Sequence, residues 1–403
     1  MTYEVRACRS VEELRDAANA IGHYFGHENS TEDAERLAQW LDVDRMHAAF
    51  DDGRIVGGAG AFTYRMSVPG GSVPAAGVSV VGVLPSHRRR GILTALMRAQ
   101  LDDCRTRGEA AAFLWASEAP IYGRFGYGLA SRQGQMSLDR DRAQFAEPFV
   151  AQGTVRLVDA DEAAELFPPV YEQVFAQRAG MFSRSPTWWT TRRLAFSPWA
   201  KGGPKQFALL ELQGVPAGYA IYTVQQDWGR FGFSTGSLRV VEALAATPEA
   251  TRELWRWLLD FDWTATIEAG LLPLDHPLFL LLAEPRRMSF EVNDGVWVRL
   301  LDLEQAMAGR SRAGDGSVVV ELTDAFLPEN AGRWRLGGGG AQRTEAAPEL
   351  ALDVSALGSA YLGGFSFGDL VRGLRATELV AGAAERADEL FRTASEPWCP
   401  EIF

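Results

Sequence analysis

The chain has 403 residues, of which 47% are hydrophobic and 23% are charged, and its formal net charge at pH 7 is −12. This is the composition of a globular protein of two or three domains, and the absence of any run of about 18 uncharged apolar residues excludes a membrane span. The negative charge argues against a nucleic-acid partner and favours cationic small molecules, because a negative field concentrates positive ligands.

The cysteines and the N-terminal segment of the sequence indicate the cellular compartment of the protein. Cys8, Cys104 and Cys399 are too widely separated to give a disulfide framework or a zinc site. The histidines form no recognisable ligand set, so we expect no metal. The segment MTYEVRACRS lacks the apolar core of a secretory signal. We therefore expect a cytoplasmic protein.

The first predicted elements are a β-hairpin and an apolar strand. The segment MHAAFDDGRIVGGAGAFTYRM indicates two strands joined by a turn at Asp52 and Gly53. In the strand VSVVGV, the alternation of apolar residues slips between Val80 and Val81 and resumes at Val83. Such a slip predicts a β-bulge, whose unpaired N–H groups would hold a thioester carbonyl or pantetheine amides. A strand buried on both faces would give the same run.

A basic turn joins this strand to an amphipathic helix. Arg88, Arg89 and Arg90 supply cationic donors, and Gly91 lets the backbone approach a ligand closely. The first N–H groups of a helix lack partners within the helix, and its dipole favours negative charge there. The turn therefore predicts a pyrophosphate site, with a solvated basic turn as the alternative. The helix carries a core-facing stripe at Leu93, Met97, Leu101 and Cys104.

The same order of elements returns in the middle of the chain. The segment FALLELQGVPAGYAIYTV indicates a second hairpin, in which Gly214 and Gly218 echo Gly53 and Gly57. The strand SLRVVEALA and the helix PEATRELWRWLLDF follow it. The two copies are offset by about 160 positions throughout, which predicts an internal duplication.

The second copy has lost the basic turn. Thr247 is a good N-cap residue, Pro248 suits the first helical position, and Glu249 lies in the first turn. A carboxylate at this end of the dipole would repel a pyrophosphate, so we expect this domain to bind no cofactor. Its tryptophans are expected in the core: Trp188, Trp189, Trp199, Trp255, Trp257 and Trp263.

A third unit of strand and helix is predicted to begin at VWVRLLDLEQAMAGR, and VVVELTDAF and a glycine-rich hairpin at LGGGG follow. The segment LALDVSALGSAYLGG and the helices after it resemble sterol-carrier-type α+β domains, which hold an apolar ligand or serve as a scaffold with a filled core. The tail SEPWCPEIF cannot form a helix, because Pro397 and Pro400 interrupt it.

These motifs carry a family resemblance. Arg88 and Gly91 match the [QR]-x-x-G-x-[GA] pyrophosphate loop of the GNAT acyl-CoA N-acyltransferases, whereas Leu93 departs from it. The segments HRRRGILTAL and WASEAPIYGRFGYG together resemble the enhanced intracellular survival (Eis) family of acetyltransferases. The resemblance implies a mixed α/β, α+β fold with a catalytic GNAT domain at 1–145, a degenerate GNAT-like domain at 146–291 and a sterol-carrier-like domain at 292–403.

The resemblance also implies roles for single residues. The general acid to the CoA sulfur is Tyr122; on chemistry alone, Tyr127 is an equal candidate. The terminal carboxylate of Phe403 lies in the active site of this family, although a frayed C-terminus is the ordinary expectation, and Glu401 is a candidate to help hold a polycation. The residues expected to contact the acetyl-CoA co-substrate are Val81, Val83, Arg88, Arg89, Gly91 and Ser117.

The implied activity is direct N-acetylation of a polycationic small molecule, an aminoglycoside in the first instance, at one or several amines by a cytoplasmic homo-hexamer. Two alternatives remain open. Acetylation of lysine side chains in proteins or peptides would need the same donor site. A lipid- or metabolite-binding protein, not an enzyme, would use the third domain and leave the acyltransferase units as relics.

Overall fold

A computed structural model of the chain describes residues 3–195, 202–311, 313–314 and 316–403. Its strands are β1 (Glu4–Ala7), β2 (Met46–Asp51), β3 (Arg54–Val68), β4 (Gly71–Val83), β5 (Ala111–Trp115), β6 (Gly128–Leu129), β7 (Arg132–Asp139), β8 (Gly153–Val158), β9 (Gln206–Leu212), β10 (Val215–Gln225), β11 (Ser237–Ala245), β12 (Thr266–Leu272), β13 (Glu291–Asp294), β14 (Val296–Leu300), β15 (Ser317–Thr323), β16 (Gly332–Gly337), β17 (Gly340–Arg343), β18 (Leu350–Asp353) and β19 (Ala376–Glu378).

Its α-helices are α1 (Val11–Gly22), α2 (Thr31–Leu37), α3 (Ile92–Thr106), α4 (Ala119–Tyr122), α5 (Ala160–Gln177), α6 (Pro186–Trp188), α7 (Pro248–Leu259), α8 (Leu278–Leu281), α9 (Leu303–Ala308), α10 (Val354–Tyr361), α11 (Phe367–Arg372) and α12 (Ala383–Phe391). Among the described residues, no helix is both long and apolar enough to cross a membrane.

The chain divides into two compact units. The first comprises Met1–Ser131, Val296–Ala394 and Phe403, and the second comprises Arg132–Gly295 and Ser395–Ile402. The first unit holds a seven-stranded sheet of order β1-β2-β3-β4-β5-β14-β6 and a five-stranded sheet of order β17-β16-β15-β18-β19. The second unit holds a seven-stranded sheet of order β13-β7-β12-β11-β10-β9-β8.

The hairpin and helix predicted for the first sheet are confirmed. Asp52 and Gly53 have φ values of 47° and 77°, the left-handed pair that a two-residue type I′ turn between β2 and β3 requires. Strands β4 and β5 pair in parallel through three residues. Helix α3 connects β4 to β5, with Met97, Leu101 and Cys104 fully buried in the core and Leu93 partly buried against it.

The second sheet repeats this construction. Gln213 and Gly214 have φ values of 52° and 77°, so β9 and β10 are joined by the same kind of turn. Strands β11 and β12 pair in parallel, and α7 follows β11 as predicted. Helix α7 buries Leu254, Trp255 and Leu258 against the sheet. The predicted duplication is therefore visible in topology as well as in sequence.

Two strands differ from the boundaries that the sequence predicts. The strand VWVRL, expected to open the third unit, is β14 and pairs with β5 and β6 of the first sheet, so that expectation is wrong. Strand β7, which lies before residue 145, pairs with β12 and β13 of the second sheet. Val296, Val298 and Leu300 are fully buried, and the main chain of β14 is paired with β5 on one edge and β6 on the other. These partners are distant in sequence, so the local pattern does not identify them.

The remaining predictions concern the third sheet, the tail and the tryptophans. The predicted strand VVVELTDAF forms β15, and the glycine-rich segment joins β16 and β17. The described tail after α12 contains no helix, as its prolines predict. Trp188, Trp189 and Trp255 are buried as expected, and Trp257 is partly buried against the core. The expectation is wrong for Trp263, which is 67% exposed, and Trp199 lies outside the described residues.

Candidate active site

The predicted β-bulge lies in β4. The register of β3 against β4 shifts between Gly58 and Gly60, so that one β3 residue lies opposite both Val80 and Val81. Val80 has a φ of 56°, which a β-branched residue rarely adopts. A bulge takes main-chain groups out of the ladder, and strained backbone of this kind clusters at functional sites. The bulge therefore offers main-chain donors where the sequence predicts the thioester.

The basic turn has the open geometry that an anion site needs. It leaves β4 through a short 3-10 helix, Pro85–His87, and ends at Gly91, the N-cap residue of α3. Gly91 has a φ of 83° and places no side-chain hydrogen bond on the helix, so its side of the helix end is left for a ligand. A Cβ added there would meet no atom within 4 Å, so packing does not require a glycine at this position. Its left-handed backbone conformation and the space for an incoming group do.

A cavity of about 650 Å³ lies against the bulge and this turn. The start of α3 and helix α4 complete its walls. All of the predicted cofactor residues line it: Val81, Val83, Arg88, Arg89, Gly91 and Ser117. Tyr122 lines the same space, whereas Arg90 does not. The structure thus brings the predicted donor-binding residues and one candidate acid together around one cavity.

The environment of Tyr122 keeps its hydroxyl protonated. The residue is 7% exposed, and burial raises its pKa above the ordinary value, while a hydrogen bond with Ser117 opposes the rise and the charge of Glu118 adds to it. A phenol with a raised pKa retains its proton at neutral pH. Tyr122 can therefore donate a proton to a group that develops negative charge in the cavity.

Tyr127 occupies a different environment. It is 1% exposed, does not line the cavity, and its hydroxyl has no hydrogen-bond partner among the described residues. Its ring packs edge-on against Tyr122, with centroids 6.0 Å apart. Burial raises its pKa well above the ordinary range. The contacts of Tyr127 are those of a core residue.

The C-terminal residue is docked, not frayed. The Phe403 ring packs edge-on against Phe62, Tyr64 and Phe113, with centroids 6.2, 5.6 and 4.9 Å away. The Ser79 hydroxyl donates a hydrogen bond to the main-chain oxygen of Phe403 at 3.1 Å. Ser79 directly precedes the bulge on β4. The structure therefore holds the main-chain oxygen of Phe403 at the bulged strand, although Phe403 does not line the cavity.

Glu401 does not have the freedom that its predicted role requires. It is 5% exposed, accepts a hydrogen bond from the Trp188 indole at 3.1 Å and pairs with Arg184 at 2.8 Å. A carboxylate that is buried and already paired does not also hold a polycation at the surface. The expectation that Glu401 binds substrate is therefore wrong, and its contacts are structural.

The second unit closes the corresponding helix end. The Thr247 side chain accepts a hydrogen bond from the Ala250 amide at 3.1 Å, and Glu249 lies in the first turn of α7, as predicted. The β10–β11 register also shifts, at Val241, but the carbonyl of Val241 accepts a hydrogen bond from Arg193 at 3.2 Å. Protein groups thus satisfy the helix end and one main-chain carbonyl at the bulge of the second unit, although a cavity of about 600 Å³ also lies against Val240 and Val241.

Several lining residues escape prediction. Glu118 and Arg124 line the cavity and belong to the motif WASEAPIYGRFGYG, so the motif could have indicated that they lie at the site. Tyr24 and Phe25 also line it, from the segment after α1, where the sequence has no periodicity that would show this. In the described part of the chain, no group of three or more His, Cys, Asp or Glu side chains is arranged to hold a metal ion.

Comparisons with known families agree with this architecture. Acetyltransferase (GNAT) domain families match residues 4–130 and 180–300, and the sterol carrier protein domain family matches residues 303–400. An uncharacterized N-acetyltransferase of Streptomyces avermitilis is 38% identical over 416 residues, with 100% of both chains covered. The predicted class of two GNAT domains followed by a sterol-carrier-like domain is confirmed.

Two relatives narrow the family. The N-acetyltransferase Eis of Mycobacterium tuberculosis is 36% identical over 324 residues, which cover 77% of this chain and 76% of that protein. The crystal structure of Eis1 from Mycobacterium abscessus superposes with a TM-score of 0.87 at 34% identity, over 100% of both chains. GNAT membership implies an acyl-CoA donor. The chain belongs to the Eis family of GNAT enzymes and is an N-acetyltransferase.

Proposed function

We propose that this enzyme transfers the acetyl group of acetyl-CoA directly to amines of a polycationic small molecule, an aminoglycoside in the first instance, at one or several positions. The observation that carries the proposal is the convergence of the bulge, the basic turn and Tyr122 on one cavity of about 650 Å³. The acceptor class follows from the family resemblance, and the net charge of −12 suits a polycation.

The donor is held by the chain's own amides and guanidinium groups. The main-chain N–H groups of Val81 and Val83 bind the acyl-pantetheine arm, and Ser117 contacts it from the opposite wall. Arg88 and Arg89, with the amides that follow Gly91, bind the diphosphate, because a helix N-terminus and guanidinium groups both favour anions. This division leaves the thioester at the bulge.

The chemical step needs an acid, a cation site and no covalent enzyme intermediate. The neutral acceptor nitrogen forms a bond to the acetyl carbon while the carbon–sulfur bond breaks, and Tyr122 gives its proton to the departing thiolate. The proton that the nitrogen loses as it becomes an amide returns to Tyr122 through water. The Phe403 carboxylate binds the acceptor ammonium and receives its proton through water. A carboxylate of ordinary pKa is a weak base, so binding the cation is its larger contribution.

The domain roles follow from these residues. The catalytic GNAT domain, which ends before β7 and includes β14, supplies the donor site, and the degenerate domain, which includes β7, serves as structure. The last residue, which follows the sterol-carrier-like region at residues 303–400, supplies the terminal carboxylate. We also propose a cytoplasmic homo-hexamer, as the family resemblance implies, and sedimentation equilibrium of the purified protein tests its mass.

The role of the C-terminus is tested by extending the chain. Adding two glycines after Phe403 converts its carboxylate into a neutral amide and moves the negative charge of the chain end away from Ser79. We expect kcat to fall by at least about tenfold, while circular dichroism and acetyl-CoA affinity stay unchanged. An extended protein with the kcat of the natural chain would contradict the role of Phe403.

The activity is tested by thiol release from acetyl-CoA. The acceptors compared are tobramycin and a lysine-containing peptide, at equal amine concentration. Release of more than one equivalent of CoA per tobramycin molecule is the expected result. Release with the peptide alone would assign the enzyme to protein acetylation, and no release with either, despite acetyl-CoA binding, would contradict both acceptor classes.

A further inference from the structure

The basic turn depends on support from outside its own sequence. Arg89 has a φ of 62°, a left-handed conformation that costs a non-glycine residue about 1 kcal/mol. Such a residue keeps its conformation only where the surrounding contacts fix it. Within the turn, the Arg88 Nε donates a hydrogen bond to the carbonyl of Pro85 at 3.2 Å, which fixes one side of the turn.

The other side is fixed by a histidine and a carboxylate. His87, directly before Arg88, lines the cavity. Its Nε2 lies 3.0 Å from Oδ2 of Asp51, the last residue of β2, and its Nδ1 lies 2.8 Å from the Ser86 hydroxyl. The His87 amide also donates to the carbonyl of Leu84 at 2.8 Å. Side chain and main chain together tie the start of the basic turn to the edge of the hairpin.

We propose that Asp51 and His87 are positioning residues, which hold the basic turn in the conformation that binds the diphosphate of the acyl-CoA donor before the donor arrives. Neither residue belongs to the R-x-x-G pattern, and Asp51 lies on a different strand from the loop that it orders. A site that is organised in advance binds more tightly, because ordering the loop costs less free energy on binding. This inference rests on the proposed use of acetyl-CoA.

A pair of donors separates positioning from general stability. Acetyl-CoA carries the diphosphate, whereas S-acetylpantetheine has the same thioester and arm without it. We expect Asp51→Asn to raise the KM for acetyl-CoA by about fivefold, because asparagine keeps a hydrogen-bond acceptor for His87 but loses the negative charge. We expect kcat to stay within twofold and kcat/KM with S-acetylpantetheine to be unchanged. His87→Asn, whose shorter side chain does not reach Asp51, gives the same donor-selective loss.

The matched control is Asp52→Asn, which removes the same charge one residue along. Asp52 has a φ of 47° in the turn, and asparagine tolerates that conformation equally well. We expect no change with either donor. An equal loss with both donors in Asp51→Asn, or none with acetyl-CoA, would overturn the inference. Calorimetric titration with CoA tests Asp51 and His87 without turnover. If the natural enzyme is inactive, that result contradicts the proposed function, and the affinities of the variants for CoA still test the roles of Asp51 and His87.

Discussion

The two GNAT sheets of this chain share their hairpin turn, their bulged strand and the helix that follows, but they differ at the N-terminus of that helix. In the first sheet, Gly91 leaves the helix end open and arginines precede it. In the second, Thr247 caps the helix and Glu249 adds a negative charge. The comparison teaches that the proposed cofactor site depends on a few residues at one strand-to-helix turn, because the rest of the construction is present in both sheets.

The bulges differ in the same sense. In the first unit, the bulged strand faces a cavity of about 650 Å³. In the second, the residue after the bulge is Glu242, which is buried with Arg184 and Arg193 at 2.6 and 2.9 Å, and Tyr219 donates to it at 2.8 Å. The carboxylate after the second bulge is thus held in an ionic cluster, and a cavity of about 600 Å³ lined by Val240 and Val241 lies beside the same strand. We expect perturbations of the second unit to affect stability and those of the first to affect turnover.

The largest expected effect tests the ionic cluster. Glu242→Gln removes one of the carboxylates that pair with the buried Arg184 and Arg193 and leaves both guanidinium groups to Glu401. We therefore expect the free energy of unfolding to fall by about 3 kcal/mol in urea titrations. Acetyl-CoA affinity should not change. The matched control is Glu268→Gln, which breaks an exposed pair with Arg239 and should cost less than about 1 kcal/mol. Equal costs for the two variants would contradict the structural role of the cluster.

The same cluster predicts a dependence on pH. Burial opposes ionisation of Glu242, but the charges of Arg184 and Arg193 outweigh it and lower its pKa to about 2. A carboxyl whose folded pKa lies below its unfolded value, about 4.3, stabilises the protein above that value, and the contribution is lost as the pH falls toward 2. Unfolding free energies measured from pH 6 to pH 3 should therefore fall less steeply in Glu242→Gln. A parallel fall in both proteins would contradict this assignment.

The next effect belongs to the first unit. Tyr122→Phe removes the proposed acid, so we expect kcat to fall by about a hundredfold, with little change in acetyl-CoA affinity. Tyr127→Phe is the control, because the Tyr127 hydroxyl has no partner among the described residues and the ring packing is kept. A large loss of kcat in Tyr127→Phe, with Tyr122→Phe active, would reverse the assignment.

The smallest effect separates capping from binding. Thr247→Ala removes the N-cap hydrogen bond of α7, and we expect it to cost about 1 kcal/mol of unfolding free energy without raising the KM for acetyl-CoA. Gly91→Ala adds a methyl group to a residue whose φ is 83°, and this group enters the open space at the start of α3. We expect a similar cost in stability together with a raised KM. A raised KM in Thr247→Ala would break the distinction between the two helix ends.

Local patterns predicted much of this arrangement. The turn residues fixed both hairpins, because left-handed pairs favour glycine and short polar side chains. The slip in alternation predicted the bulge, and Thr247 predicted the closed helix end. Each of these features depends on neighbouring residues in the chain, which is why sequence alone was sufficient.

Features that depend on distant partners were not predictable in the same way. The pattern VWVRL shows a buried strand but not which sheet accepts it, so the placement of β14 was missed. Tyr122 and Tyr127 belong to one motif, and only their tertiary surroundings separate them. The contact between Asp51 and His87 joins two elements that no spacing rule connects.

The most direct test of the comparison is a calorimetric titration of the intact protein with acetyl-CoA. We predict one binding site per chain, with the dissociation constant raised at least about tenfold when Arg88 and Arg89 are both replaced by alanine, since each charge-assisted contact contributes about 1.5–3 kcal/mol. Two sites per chain, or one site whose affinity is unchanged in the double variant, would contradict the conclusion that only the first unit binds the donor.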